Sequence, residues 1–150
     1  MSSTKLEKVN LALILLIFVN GIFTDTEMAL GQTLPDINLK TLDGKSVNIK
    51  EHVKKNKFTV LSFWATWCGP CKKELDTLTD FHESWQEDLG VELVAITVDN
   101  ARGLAKVKPM VNTKGWEFTI LADSKQELQR ALNFQTIPQT FIVDSEGNVV

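Results

Sequence analysis

From residue 32 onward the spacing of apolar positions changes along the chain, and each change marks an element. Ile37-Asn38-Leu39 and Val47-Asn48-Ile49 alternate apolar and polar residues on either side of Asp43-Gly44, which predicts a β-hairpin. Phe58 to Ala65 is apolar and rich in β-formers, as a buried strand would be. Leu75, Leu78, Phe81, Trp85 and Leu89 follow at spacings of three and four. That periodicity predicts one helix with a single apolar stripe, ended by Gly90. Val91 to Val98 predicts a second buried strand. Residues 102–114 read as helical, with Pro109 expected to kink or split them. Trp116 to Leu121 reads as a strand, and Ser124-Lys125-Gln126-Glu127 as a capping box opening a short helix through Leu132. Thr140 to Val143 reads as a further buried strand, after which Glu146-Gly147-Asn148 turns the chain into Val149-Val150.

Strands alternating with helices after residue 58 predict an α/β architecture, a mostly parallel sheet with helices on both faces. No repeat or low-complexity linker interrupts residues 32–150, which read as one domain. Covering such a sheet would take an edge strand and a closing helix beyond Val150, so the domain is expected to be truncated or unusually short.

Residues 1–31 have a different character. Lys5 and Lys8 precede an uninterrupted apolar run from Leu11 to Val19, which Asn20 and Gly21 break. This is the order of a secretory signal, although neither Val19-Asn20-Gly21 nor the stretch before Leu30 is a clean A-x-A site. The alternative is an uncleaved membrane anchor. Val9 to Phe23 would make about 22 Å of helix against about 30 Å of hydrocarbon, a short span. Either way the domain is expected outside the cytoplasm.

The net charge of −3 provides no basic surplus to hold a phosphate backbone, which argues against a nucleic-acid partner. Only two cysteines occur, Cys68 and Cys71. A small secreted domain stapled by disulfides would need more of them, spread along the chain. The pair sits in Trp67-Cys68-Gly69-Pro70-Cys71, at the junction of the Phe58–Ala65 strand and the next helix. There, unpaired N–H groups and the positive end of the helix dipole favour a thiolate on Cys68. Pro70 fits the first helical turn, where its missing N–H costs nothing. Cys71 is expected to lie deeper and to act as the resolving thiol. Half of a zinc site is the competing reading, but zinc needs four ligands, and His52 and His82 are not spaced to supply them. A static disulfide would close too small a loop to stabilise much. Ile137-Pro138 directly precedes a strand, where an X-Pro bond makes a tight turn.

Phe63-Trp64-Ala65-Thr66-Trp67-Cys68-Gly69-Pro70-Cys71-Lys72-Lys73-Glu74-Leu75, together with Ile137-Pro138-Gln139-Thr140-Phe141-Ile142-Val143-Asp144 and Glu146-Gly147, resembles the TlpA/ResA-like branch of the thioredoxin superfamily. The resemblance runs from about residue 32 to the end, including a central insertion between Val91 and Leu121. It implies a thioredoxin-like fold with a central mixed sheet and an N-terminal hairpin. It also implies an exported bacterial thiol-disulfide oxidoreductase, in the periplasm or on the outer face of the membrane. Such an enzyme needs no cofactor beyond the redox-active Cys68–Cys71 pair. Its partners would be a disulfide-containing protein and a membrane-associated electron donor, and several members reduce the haem-binding cysteines of apocytochromes. By resemblance Pro138 is a cis-proline beside the dithiol, Ile137 offers backbone groups to a substrate strand, and Trp67, Gly69 and Pro70 border the substrate.

One position departs from the pattern: thioredoxin keeps a buried Asp six residues before the first cysteine, and here that residue is Ser62. Glu74, three residues after Cys71, is the candidate for the proton-handling group, the alternative being a solvated Glu beside Lys72 and Lys73. Two other functions are weighed. A thiol peroxidase of the related type would use Thr-x-x-Cys, whereas Thr66 is only two residues before Cys68. A copper carrier would use a wider cysteine spacing and a suitably placed His.

Overall fold

A computed structural model describes residues 31–150, and the expectations for the leader lie outside the described residues. Strands β1 (Asn38–Thr41) and β2 (Ser46–Asn48) form the expected hairpin, with the Gly44 amide bonded back to the Thr41 carbonyl. Next come α1 (Ile49–Val53), β3 (Phe58–Trp64), α2 (Gly69–Thr79), α3 (His82–Ser84) and a π-helical turn over Trp85–Leu89. Then follow β4 (Val91–Thr97), α4 (Leu104–Lys114), β5 (Thr119–Ala122), α5 (Glu127–Ala131) and β6 (Gln139–Asp144).

The six strands form one sheet in the order β2-β1-β5-β4-β3-β6. Its centre, β5-β4-β3, is parallel, while β1 and β6 pair antiparallel on either side. The sheet is therefore mixed rather than mostly parallel. Only the β3-α2-β4 and β4-α4-β5 passages are helical crossovers of the kind that parallel pairing requires.

The register assigns the faces, because side chains alternate and paired residues share a side. Ser62 pairs with Ala95 and with Thr140, and its hydroxyl meets Glu74 of α2, so α2 covers that face. Trp64 lies on the same face and packs edge-to-face on Trp116, whose indole N–H donates to Asp76 of α2. The opposite face carries Phe63, in aromatic contact with Phe134 and Phe141, and Glu92, bonded to His52 of α1. Phe63, Trp64, Leu61, Val94 and Ile96 are fully buried between the layers. Burying a large apolar side chain contributes about 1.5–3 kcal/mol, so these strands anchor the domain.

Four local expectations are corrected. The stripe from Leu75 to Leu89 is not one helix: α2 stops at Thr79 and the chain restarts after Phe81. Thr77 and Thr79 turn their hydroxyls onto the carbonyls of Lys73 and Leu75, and the His82 ring lies 2.9 Å from the Thr79 carbonyl, drawing backbone acceptors off the helical ladder. Gly90 does end the segment, at φ 66°, a left-handed value that a residue without Cβ adopts freely. Pro109 does not split α4; it lies with Ala105 on the exposed side, where water can satisfy the freed carbonyl. Ser124 is not the cap of α5. Asp123 instead accepts from the amides of Glu127 (2.8 Å) and Gln129 (2.9 Å), and the chain enters the helix through Gln126 at φ 56°. Finally, Ile49 begins α1 rather than extending the hairpin, since the Asn48 side chain caps the Glu51 amide.

Candidate active site

At the carboxyl end of β3 the chain leaves the sheet at Ala65 and enters α2 at Gly69. Cys68 is the N-cap residue, with extended backbone, and its Sγ accepts from the Cys71 amide at 3.3 Å. Gly69 and Pro70 form the exposed first turn, as Pro at the start of a helix should. Cys68 and Cys71 are joined in a disulfide. Cys71 is the deeper of the two at 1% exposure, but Cys68 is also well covered at 5%, so the contrast in depth is small in this state. Trp67, at 71% exposure, stands out beside the pair.

The turn before β6 comes from the far end of the sequence. The Ile137–Pro138 peptide is cis, and the Ile137 carbonyl oxygen lies 4.0 Å from Cys68 Sγ. Glu74 is half-buried and faces the sheet rather than lying among Lys72 and Lys73. Its Oε1 accepts from Thr140 Oγ1 at 2.6 Å and from Ser62 Oγ at 3.3 Å, two residues directly paired across β3 and β6. The carboxylate thus spans the position where the thioredoxin pattern has its acid and the strand that follows Pro138. The histidines are engaged elsewhere: His52 Nε2 is 3.0 Å from the Glu92 carboxylate, and His82 bonds the Thr79 carbonyl.

Sequence reasoning missed Asp99 and Thr66. Asp99 follows β4 and is 2% exposed. It accepts from the Thr66 amide (2.8 Å), the Thr66 hydroxyl (2.8 Å) and the Thr97 hydroxyl (2.7 Å). Lys72 Nζ holds the Thr66 carbonyl at 3.1 Å, and the Cys68 amide bonds the Ala65 carbonyl at 3.0 Å. The segment ahead of Cys68 is therefore fixed from both sides. The available signal was an acidic residue at the carboxyl end of a buried parallel strand, the edge where α/β sheets gather their sites.

A helix-capped cysteine pair at the carboxyl edge of this mixed sheet, faced by a cis-proline turn, defines a thiol-disulfide oxidoreductase of thioredoxin-like fold. Residues 30–150 match the model of the AhpC/TSA family, and the chain belongs to that family. Thiol-disulfide oxidoreductase ResA of Bacillus anthracis is 33% identical over 131 residues, spanning 87% of this chain and 73% of the relative. Among solved structures, a thioredoxin-like protein from Porphyromonas gingivalis superposes with a TM-score of 0.64 at 36% identity, covering 78% of this chain and 76% of the other. StoA from Bacillus subtilis gives a TM-score of 0.62 at 31% identity, over 77% and 87%. The resemblance to the TlpA/ResA-like branch read from the sequence is borne out by these relatives.

Proposed function

We propose that this enzyme works outside the cytoplasm as a reductant of protein disulfides, with Cys68 as nucleophile and Cys71 as resolving thiol. The observation that carries this reading is the placement of Cys68 at the start of an 11-residue helix, its sulfur accepting the Cys71 amide. That amide and the helix dipole favour the thiolate over the thiol. In the reduced protein the Cys68 thiolate attacks one sulfur of the substrate disulfide and releases the other as a thiolate. Cys71, once deprotonated, attacks Cys68 Sγ and frees the second substrate thiol. Two electrons leave the protein, and the Cys68–Cys71 disulfide forms. Return to the dithiol takes two electrons from a partner thiol pair, for which a membrane-associated donor is the reading.

In this reading the exposed Trp67, Gly69 and Pro70 border the approach of substrate to Cys68, and the Ile137 carbonyl, 4.0 Å from Cys68 Sγ, pairs with a substrate strand. Glu74 is the group proposed to exchange the Cys71 proton, supported by its position between Ser62 and Thr140. Export is supported by the basic and apolar leader. Among substrates, the family resemblance favours the haem-binding cysteines of apocytochromes.

Two experiments test the reading. Alkylation of the reduced protein near neutral pH should label Cys68 before Cys71, and a Cys71→Ser variant should accumulate a mixed disulfide through Cys68. Equal labelling, or trapping by Cys68→Ser instead, overturns the assignment of roles. Fractionation of cells producing the full chain should place Cys68 beyond the inner membrane, and a cytoplasmic reduced pool as the main species contradicts export.

A further inference from the structure

Lys72, next to Cys71 on α2, and one side of α4 border a trough. One part, about 540 Å³, is walled by Lys72, Lys106 and Lys114, with Ala105, Pro109 and Met110 between them. A second part, about 230 Å³, continues to Trp67, Asn100 and Gly103 and shares Lys106 and Met110 with the first. The two adjoin at Lys106 and Met110, and the second reaches the exposed Trp67, the residue before Cys68.

Of the charged residues lining this trough, three are lysines and one, Asp99, is an acid. Lys114 is neutralised by Asp76 at 2.6 Å. Lys72 Nζ touches a backbone carbonyl, that of Thr66, and not a carboxylate. Lys106 makes no ion pair among the described residues. Asp99, which lines the Trp67 end, is buried and already accepts from Thr66 and Thr97. Two ammonium groups thus lack a paired carboxylate along a groove whose larger part is mostly apolar, in a chain whose net charge is −3.

We propose that this trough is a substrate-docking groove for an acidic, extended segment of the protein whose disulfide is exchanged. Carboxylates on that segment pair with Lys72 and Lys106, and an apolar side chain seats against Met110 and Trp67. The proposal rests on the oxidoreductase reading and adds to it a preference for flanking charge. Such a preference acts through encounter and orientation and is screened by salt.

The test uses two peptides that carry the same cystine, one flanked by Asp and Glu and one by Lys and Arg. Reduction by the full reduced protein is followed as kcat/KM, with a small aromatic disulfide as a positive control. The acidic peptide should be favoured by about tenfold at low ionic strength, and the preference should shrink toward parity near about 0.5 M salt. Lys106→Glu should lower the acidic-to-basic ratio by about fivefold, with Lys106→Gln in between. Because the ratio is internal to each variant, a partly unfolded preparation does not mimic the effect. Lys108, on the same helix but paired with Asp43, serves as the net-charge control. Lys108→Glu should leave the ratio near that of the native protein. Equal turnover of both peptides, or an equal effect from Lys108→Glu, overturns the groove. Retention on anionic vesicles without any peptide preference makes the surface a membrane contact and also overturns it. Failure to reduce even the small disulfide overturns the oxidoreductase reading, and the docking groove with it.

Discussion

Replacing Asp99 by alanine would remove the acceptor from three donors at once, the Thr66 amide, the Thr66 hydroxyl and the Thr97 hydroxyl, all within 2.8 Å. A buried donor left without a partner costs about 1–3 kcal/mol. The two hydroxyls can rotate toward other acceptors while the amide cannot, so a total near 3 kcal/mol is expected. At about 4 °C per kcal/mol for a domain of this size, the melting temperature should fall by about 12 °C. A second perturbation reaches the same carboxylate from the other side. A Cβ at Gly103 would stand 2.6 Å from Asp99 Oδ1 and 3.0 Å from its Cβ, so Gly103→Ala pushes the acid off Thr66. The expected cost is about 1–3 kcal/mol. Thr66→Val, which keeps the shape and drops the hydroxyl, should cost about 1–2 kcal/mol. If both act through Asp99, the double variant should be less destabilised than the sum, by about 1 kcal/mol. Urea unfolding of the oxidised proteins measures this, and alkylation of the reduced proteins reports whether Cys68 has shifted. Strict additivity within about 0.3 kcal/mol would refute the idea that Gly103 and Thr66 share this carboxylate.

Glu74→Gln keeps the hydrogen-bonding shape between Ser62 and Thr140 but removes the carboxylate proposed to take the Cys71 proton, so the pH profile of disulfide reduction should change while the fold persists; superimposable profiles would make Glu74 a structural residue only. Burial works against the charge on Glu92, but hydrogen bonds from His52, Thr119 and Asn56 outweigh it and hold the carboxyl below its usual range. A depressed folded-state pKa gives stability that is present above the unfolded carboxylate range and lost as pH falls through the folded value. Glu92→Gln should therefore flatten the acid limb of a stability-pH curve, and an unchanged limb counts against the cluster. Leu75, fully buried on the inner side of α2, should cost about 2–5 kcal/mol on truncation to alanine, measured by the same unfolding assay.

The central strands were legible because their side chains are buried on both faces, which leaves near-continuous apolar runs at Phe58–Trp64 and Val91–Thr97. The dithiol was legible because its residue types and their position before a helix are dictated by the chemistry. Interruption of the helix after Thr79 was not legible, because an apolar stripe at helical spacing persists whether or not the backbone ladder is broken beneath it. Pro109 misled for the converse reason: what a proline costs depends on whether its freed carbonyl faces water, which periodicity does not encode. Ser124 looked like a cap because its neighbours fit the local pattern, yet the buried Asp123 reached the same amides first. Asp99 and Thr66 are 33 residues apart, and the Glu74–Thr140 bond spans 66. Those pairs exist only once β3 is laid between β4 and β6, and no local signal carries that register.

Strand β4 begins beside the Glu92 cluster and ends beside Asp99, some 23 Å away at about 3.3 Å per residue. At one end an acid meets a histidine, an asparagine and a threonine, and at the other an acid steadies the residues leading into Cys68. Changes at points so distant, sharing no partner, should combine independently. Such a division has an evolutionary use. A lineage moving into hotter or more acidic surroundings can retune its robustness at the Glu92 end, one substitution at a time, while the reactivity inherited at the other end is left alone.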